Sequence, residues 1–409
     1  LRSLEVRTSP RDSLTPMKSF LDELRRGAAR HSDLDPASPR IEWGVVLHIV
    51  RDRGAGLSKG RFPAFGRGSH ADPSSERAFG GRPGRDSARN LGGFRFGQYF
   101  EEREQEVRTL ETLLTRFPLL LHSIRGIDVC TDELGVPSWV LTPFFLRLRE
   151  TSNRVSSHIQ RRFQLSVPPL RTTVHAGEDF VHLLGGLRRI DESIRYFKLR
   201  EGDRLGHCVA LGIDCREWAL SIGRLPQARE DRLLDLVWEW GCYSQFHVPT
   251  DVDRRAFLER EIARLSHAVF GRNVLPYQLE LLVECLHDGQ LLSNLGFPSG
   301  RQTPWQSLKT LSLERQAELL GNLFNDGSAA SGESGSSTVR LLLQYLSDPG
   351  VFRRGQHIEW IDPIQEAEPL ERLQHHLRHR IASSGLTVEV NPSSNLLIGN
   401  LVDLTRHPM

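Results

Sequence analysis

Short runs of apolar and β-branched residues recur along the chain, and six of them have the length and composition of buried strands. They are Ser3–Ser9, Trp43–Val50, Ile124–Cys130, Thr172–Gly177, Asp203–Ala210 and Leu386–Pro392. Segments with helical periodicity lie between several of them, at Met17–Arg26, Glu101–Phe117, Pro143–Phe163 and Ile190–Leu199. Strands and helices that alternate in this way are typical of a parallel sheet, in a barrel or in a doubly wound fold. The pattern therefore predicts an α/β fold.

Two long stretches interrupt the alternation. Residues 53–97 are rich in Gly, Arg and Ser and have few periodic apolar positions, which predicts a long loop. Residues 211–385 show helical periodicity alone, which predicts an α-helical insertion between two strands. We therefore expect residues 1–210 to carry most of the sheet, and residues 386–409 to add its last strand and the loop after it.

Composition narrows the class of protein. No run of about 18 apolar residues is present, so we expect no membrane span. The first residues lack the apolar core of a signal peptide, and the five cysteines are scattered and never spaced as CxxC, which predicts a reducing, cytoplasmic location. The net charge of +2 is too small for the chain as a whole to have the electrostatics of a nucleic-acid binder.

The segment TTVHAGEDF, Thr172–Phe180, carries the first candidate chemistry. His175 closes a predicted strand at the end where parallel sheets build their sites, and an imidazole there suits Zn²⁺. Ala176 and Gly177 allow a sharp turn, so Glu178 returns toward His175 and can act as a general acid or base. This HxxE spacing is also compatible with a histidine that is merely hydrogen-bonded near a strand end.

Polar residues follow three more predicted strands. His207 stands after a glycine in DRLGHC, and Ser394 and Asn395 lie in the polar turn of VEVNPSSNL. The segment GIDVCTDE ends another strand with carboxylates that include Asp128. Because the carboxyl ends of parallel strands meet at one face, we expect these clusters to form a single site.

The order of these motifs resembles the adenosine/AMP deaminase family of metal-dependent hydrolases. HAGE, RLGH and VNPSSN match the family's later strand ends, while LEVRTSP and GIDVCTDELGVP are similar to its earlier ones. The resemblance covers all six predicted strands and leaves out the helical insertion. It implies a (β/α)₈ barrel of the TIM type that hydrolytically deaminates the adenine base to the inosine product and ammonia.

The resemblance also implies roles for individual residues. His175 corresponds to a zinc ligand, Glu178 to the glutamate that protonates the purine ring, and His207 to the histidine that orients the attacking water. The substrate contacts that we expect are Asp128, Thr131, Gly177, Ser394 and Asn395. Thr131 stands where the family has a glycine, and Asn391 replaces a cysteine, so adenosine, an adenine nucleotide and adenosine in RNA all remain open as substrates.

Three zinc ligands of the family have no counterpart in this chain. Neither the H-x-H of the family's first strand nor the D-D-P of its last strand is present. We therefore expect an incomplete barrel with strands two to seven of eight. A chain of this kind should be a fragment of a longer protein, inactive and a poor zinc binder by itself.

The helical insertion and the Gly/Arg-rich loop resemble the large deaminase subunit of bacterial RADAR anti-phage systems. That resemblance implies a role in antiviral defence, a homo-oligomer and an ATPase partner, with RNA among the targets. A plain lid or an oligomer contact is the simpler explanation of the insertion.

Other functions remain to be weighed. His357 and Glu359 form an H-x-E, but no P-C-x-x-C follows, which excludes a cytidine-type zinc deaminase. The Arg and Phe residues of Arg53–Arg95 are typical of a segment that binds nucleic acid, and also of a loop with compensating acids. A non-catalytic scaffold derived from a deaminase barrel is the third alternative.

Overall fold

A parallel sheet organises the computed structural model, which describes residues 3–10, 13–34, 42–51, 95–130, 133–288 and 333–391. The strands are β1 Ser3–Thr8, β2 Glu42–Val50, β3 Ile124–Cys130, β4 Arg171–Ala176, β5 Arg204–His207, β6 Leu225–Ala228, β7 Ile358–Ile361 and β8 Thr387–Glu389. Six of them form one sheet in the order β1-β2-β3-β4-β5-β8, and every neighbouring pair is parallel. The predicted α/β class and the six predicted strands are confirmed.

The sheet is curled into a half-barrel, because side chains from its two edge strands meet. Arg7 on β1 donates to the Glu389 carboxylate on β8, with nitrogen–oxygen distances of 2.7 and 2.8 Å. Arg204 on β5 donates to Glu5 on β1 at 2.9 Å. These strands stand at or next to opposite edges of the sheet, so a flat sheet would hold them far apart.

Helices cover the sheet and form the region between β5 and β8. They are α1 Leu14–Leu34, α2 Gly97–Arg116, α3 Ser138–Phe163, α4 Leu183–Tyr196, α5 Cys215–Ile222, α6 Arg229–Gln245, α7 Val252–Phe270, α8 Pro276–His287, α9 Glu333–Ser347, α10 Pro349–Gly355 and α11 Ala367–Ser384. Side-chain caps begin several of them, as where Asp251 accepts the backbone N–H of Arg254 at 2.6 Å.

One hydrophobic core joins the sheet to the helical region. Its buried members include Val45 and Ile127 on central strands, Phe144 on α3, and Leu236 and Leu342 on helices of the insertion. Burial of most of their side chains explains why the central strands β2 and β3 read as apolar runs in the sequence. Across the described ranges, none of the helices combines the length and the apolarity that a membrane crossing requires.

Two features of the sequence prediction are wrong. The region 211–385 is not purely helical, because β6 and β7 pair as a two-stranded antiparallel sheet. Trp360 on β7 is 57 % exposed, so this short strand lacks the apolar pattern that reveals a buried strand. Helix α3 begins at Ser138 and continues through Pro143, where the sequence had suggested a helix start.

Candidate metal and catalytic site

A tight turn after β4 brings Glu178 back to His175. Gly177 has a φ of +75°, and a Cβ at this position would lie 2.4 Å from Ile190 Cδ1, so only glycine fits without rearrangement. The turn leaves His175 Nδ1 at 3.7 Å from Glu178 Oε1. The HAGE motif therefore encodes both the turn and the contact.

His207 reaches the same place from the neighbouring strand. It ends β5 with a φ of +64°, and its Nε2 lies 3.4 Å from Glu178 Oε2. The rings of His175 and His207 stand nearly perpendicular, with their centroids 5.0 Å apart. Gly206 makes this approach possible, because a Cβ there would lie 2.2 Å from His175 Cδ2.

Asp128 forms the floor of the site at the end of β3. Its side chain is fully buried, and its Oδ2 lies 3.7 Å from His175 Nε2 and 3.1 Å from His48 Nε2. Arg7 Nη1 approaches the same oxygen at 3.3 Å. Asp128 Oδ1 has no hydrogen-bond partner in the described part of the chain. A buried carboxylate oxygen without a partner is costly, and a bound cation or water would relieve it.

The surroundings of His175 and Glu178 shift their pKa values in opposite directions. Burial lowers the pKa of His175 to about 4 and outweighs the opposing attraction of Asp128. Burial, followed by the charges of Glu133 and Asp179, raises the pKa of Glu178 to about 8. Burial also acts on Asp128, but His48, His175 and Arg7 outweigh it and hold the pKa of that carboxyl below its usual value. At neutral pH, His175 keeps a free lone pair and Glu178 holds a proton.

Glu133 and Arg51 hold the turn after β4 through hydrogen bonds to its backbone. The Glu133 carboxylate accepts the backbone N–H groups of Gly177, Glu178 and Asp179, at 2.7, 3.2 and 3.2 Å. Arg51 Nη2 donates to the carbonyl of His175 at 3.0 Å. These contacts hold Glu178 in place through its own backbone.

The cluster combines residue types that bind metal ions in proteins. One ligand atom each of His175, Glu178 and His207 lie within 4.8 Å of one another. The distances of 3.4 and 3.7 Å join His207 Nε2 and His175 Nδ1 to different oxygens of Glu178, and this carboxyl holds a proton at neutral pH. Among the described residues, the groups left to bind a metal here are the neutral imidazole of His175 and the unpartnered oxygen of Asp128.

The structure brings most of the predicted site residues together. His175, Glu178, His207, Asp128 and Gly177 share one face of the sheet. Both backbone polar groups of Gly177 are hydrogen-bonded within the protein, to Glu133 and to Ala210, so its contribution is shape rather than a free N–H. The remaining predicted contacts, Thr131, Ser394 and Asn395, lie outside the described residues.

Sequence reasoning missed three residues that touch the site: Arg7, His48 and Arg51. Arg7 lies in the LEVRTSP motif, but nothing in its spacing shows that a curled sheet carries it to Asp128. His48 stands beside Asp128 in the strand register, a pairing that only the sheet order reveals.

Two residues from other candidate motifs, Glu359 and Arg95, form ion pairs within the protein. Glu359 bonds to Arg229 at 2.6 Å, which binds the H-x-E segment into the two-stranded sheet rather than to a metal. Arg95, the last residue of the proposed nucleic-acid segment, is buried and paired with Glu230 at 2.6 Å. The rest of that segment lies outside the described residues.

No protein-family model matches this chain, and no curated protein matches it at a significant level.

Proposed function

We propose that this chain contributes the catalytic face of a zinc-dependent hydrolase that deaminates the adenine base, as the resemblance to adenosine/AMP deaminases implies. One observation carries the proposal. His175, Glu178 and His207 come from two different strand ends and a turn, yet they meet within 4.8 Å. The chemistry that such a cluster offers is proton transfer beside a metal.

Each residue has a distinct role in the proposal. His175 holds the metal through a neutral imidazole, because burial keeps its pKa near 4. Bound zinc would supply Lewis-acid activation of water. Glu178 carries a proton at neutral pH and donates it to the ring nitrogen of the base, while His207, in contact with Glu178, orients the water.

The same proposal extends to the fold. We infer that the half-barrel corresponds to strands two to seven of a (β/α)₈ barrel, and that the family's remaining zinc ligands belong to the two strands that complete it. An ATPase partner, a homo-oligomer and a role in anti-phage defence are implied by the resemblance alone and stay predictions.

The test is an assay of the protein expressed from its complete reading frame, with loss of adenine absorbance as the readout. Adenosine, ATP and a short RNA are the three substrates. Glu178→Gln should lower the rate on the active substrate by about 10²–10⁴-fold, because it removes the proton and keeps the shape. Glu150→Gln, on an exposed part of α3, is the matched control and should leave the rate unchanged. Absence of deamination of all three by the wild-type protein would contradict the proposal and favour the scaffold alternative.

A further inference from the structure

A second polar cavity lies outside the candidate site, between α3, α4, α6, α8, α9 and α10. Its volume is about 60 Å³, several times what one water molecule needs. Its walls combine charged groups, such as Arg95 and Glu230, with the aromatic rings of Trp139 and Tyr345. Arg51 and Glu133, which hold the Gly177–Asp179 turn, also belong to its lining.

Among the described residues, Arg95 contributes two unpartnered donor nitrogens to this cavity, while Glu230 Oε2 and Gln356 Oε1 are unpartnered acceptors in the same lining. Its side chain is 1 % exposed, and its guanidinium lies over the ring of Tyr345 at 3.8 Å and over that of Phe352 at 5.1 Å. Nη1 donates to Glu230 Oε1 at 2.6 Å. Nε and Nη2 are buried and have no hydrogen-bond partner within the described ranges.

The two unsatisfied nitrogens form one edge of the guanidinium. Nε and Nη2 present parallel N–H groups, which is the side-on fork that accepts a carboxylate or a phosphate in a bidentate manner. The rings of Tyr345 and Phe352 hold this fork in a fixed orientation, so no conformational entropy is lost when a ligand binds it. Leaving both donors unpaired is costly, typically more so for a charged group.

A helix terminus adds to the attraction for an anion. Helix α3 begins at Ser138, and its N-cap residue Pro137 makes no side-chain cap. Pro137, Ser138 and Trp139 all line the cavity. The N–H groups at the start of a helix and its dipole both favour a negative group nearby.

Most carboxylate oxygens of the lining already have partners. Glu133 is bound by the three N–H groups of the turn, and Glu192 by Arg188 and Ser138. Glu230 accepts from Arg95 and from the Tyr345 hydroxyl at 2.8 Å. Burial raises the pKa of the fourth, Asp231, which disfavours its charge. Glu230 Oε2 is the exception, because it has no hydrogen-bond partner in the described part of the chain.

We propose that this cavity is a binding site for a small oxyanion, a carboxylate or phosphoryl group held in a bidentate manner by Nε and Nη2 of Arg95. The site is separate from the metal cluster and does not depend on the proposed deaminase activity. The bound oxyanion accepts hydrogen bonds from Nε and Nη2 of Arg95, the two nitrogens that have no partner among the described residues.

Isothermal titration calorimetry of the full chain tests the proposal, with sodium phosphate and sodium acetate titrated separately at constant ionic strength. We expect saturable binding of at least one of them, and the stronger of the two identifies the group. Arg95→Lys keeps the charge and loses the fork, so it should weaken binding about tenfold or more. Arg161→Lys, on the exposed end of α3, should bind like the wild type.

A second variant covers the case in which Arg95→Lys does not fold. Leu234→Phe on α6 adds bulk to the cavity wall, removes no charged group and should also abolish binding. Circular dichroism verifies the fold of each variant. Absence of saturable binding to the wild type, or equal binding by a folded Arg95→Lys, would overturn the proposal. Binding that is unchanged in Glu178→Gln would separate this site from the deaminase chemistry, and binding lost there would contradict their independence.

Discussion

Gly206 illustrates how single residues set the geometry of the candidate site. A side chain at this position would overlap the ring of His175, so the glycine before His207 exists to let two imidazoles approach. Glu133 acts through the backbone instead, because three N–H groups of the turn converge on its carboxylate. Arrangements of this kind hold reactive side chains in place before any ligand arrives.

Gly206→Ala should weaken zinc binding by the complete protein about tenfold or more, since displaced ligand supports typically cost 10–100-fold in metal affinity. The added Cβ would lie 2.2 Å from His175 Cδ2, and the ring has to move. Gly27→Ala is the control, because a Cβ there meets nothing within 4 Å. Zinc titration with a chromogenic chelator measures both. Equal affinities would show that the ring of His175 is not held by this contact.

At the level of elements, the sequence predicted the strands of the main sheet, but it did not predict the small antiparallel sheet or the curl and register that complete the site. Ile124–Cys130 is found with the predicted limits, because it is buried on both faces and bounded by polar residues. Sequence reasoning missed β7 because its side chains alternate between exposed and half-buried positions, and β6, although largely buried, is only four residues long. Histidine and carboxylate motifs revealed His175, Glu178 and His207, whereas Arg7 and His48 join the site only through sheet curl and register, which periodicity does not encode.

Helix α8 contains a buried histidine that should stay neutral in the folded protein. It ends at His287, whose Nε2 lies 2.9 Å from Ser138 Oγ, and burial lowers the pKa of its imidazole to about 4. The unfolded chain therefore binds a proton near pH 6.5 that the folded protein accepts only near pH 4, so the free energy of unfolding falls as the pH drops through this window.

His287→Gln should remove that dependence. Between pH 7 and pH 5, His287 alone lowers the free energy of unfolding of the wild type by about 2 kcal/mol. His287→Gln should therefore lose about 2 kcal/mol less stability than the wild type over this range. Urea denaturation at both pH values measures the difference. His122→Gln, at an exposed position, serves as the control. The same loss in wild type and His287→Gln would mean that His287 does not stay neutral in the folded protein.

For the whole molecule, the decisive feature is the closure of the half-barrel by charged side chains. Arg7 and Glu389 are 382 residues apart in sequence and stand on opposite edge strands, yet Arg7 Nη2 donates to both oxygens of the Glu389 carboxylate. Arg7 also donates to Asp128 Oδ2 at 3.3 Å. The residue that closes the sheet therefore also contacts the carboxylate of the candidate site.

A double-mutant cycle on Arg7→Ala and Glu389→Ala should give a coupling of about 1 kcal/mol in the free energy of unfolding, as expected for a partly exposed ion pair. Equilibrium denaturation of the four proteins provides the number. Additive effects would indicate that the sheet edges do not meet in solution.

The most direct test of the central claim compares zinc content and deamination rate in Glu178→Gln and His175→Ala of the complete protein. Glu178 is proposed as a proton donor and His175 as a metal ligand, so the two variants should differ. Glu178→Gln should keep nearly all of the zinc and lose about 10²–10⁴-fold in rate, whereas His175→Ala should lose both. Loss of zinc in Glu178→Gln, or near wild-type turnover in that variant, would contradict the proposed roles.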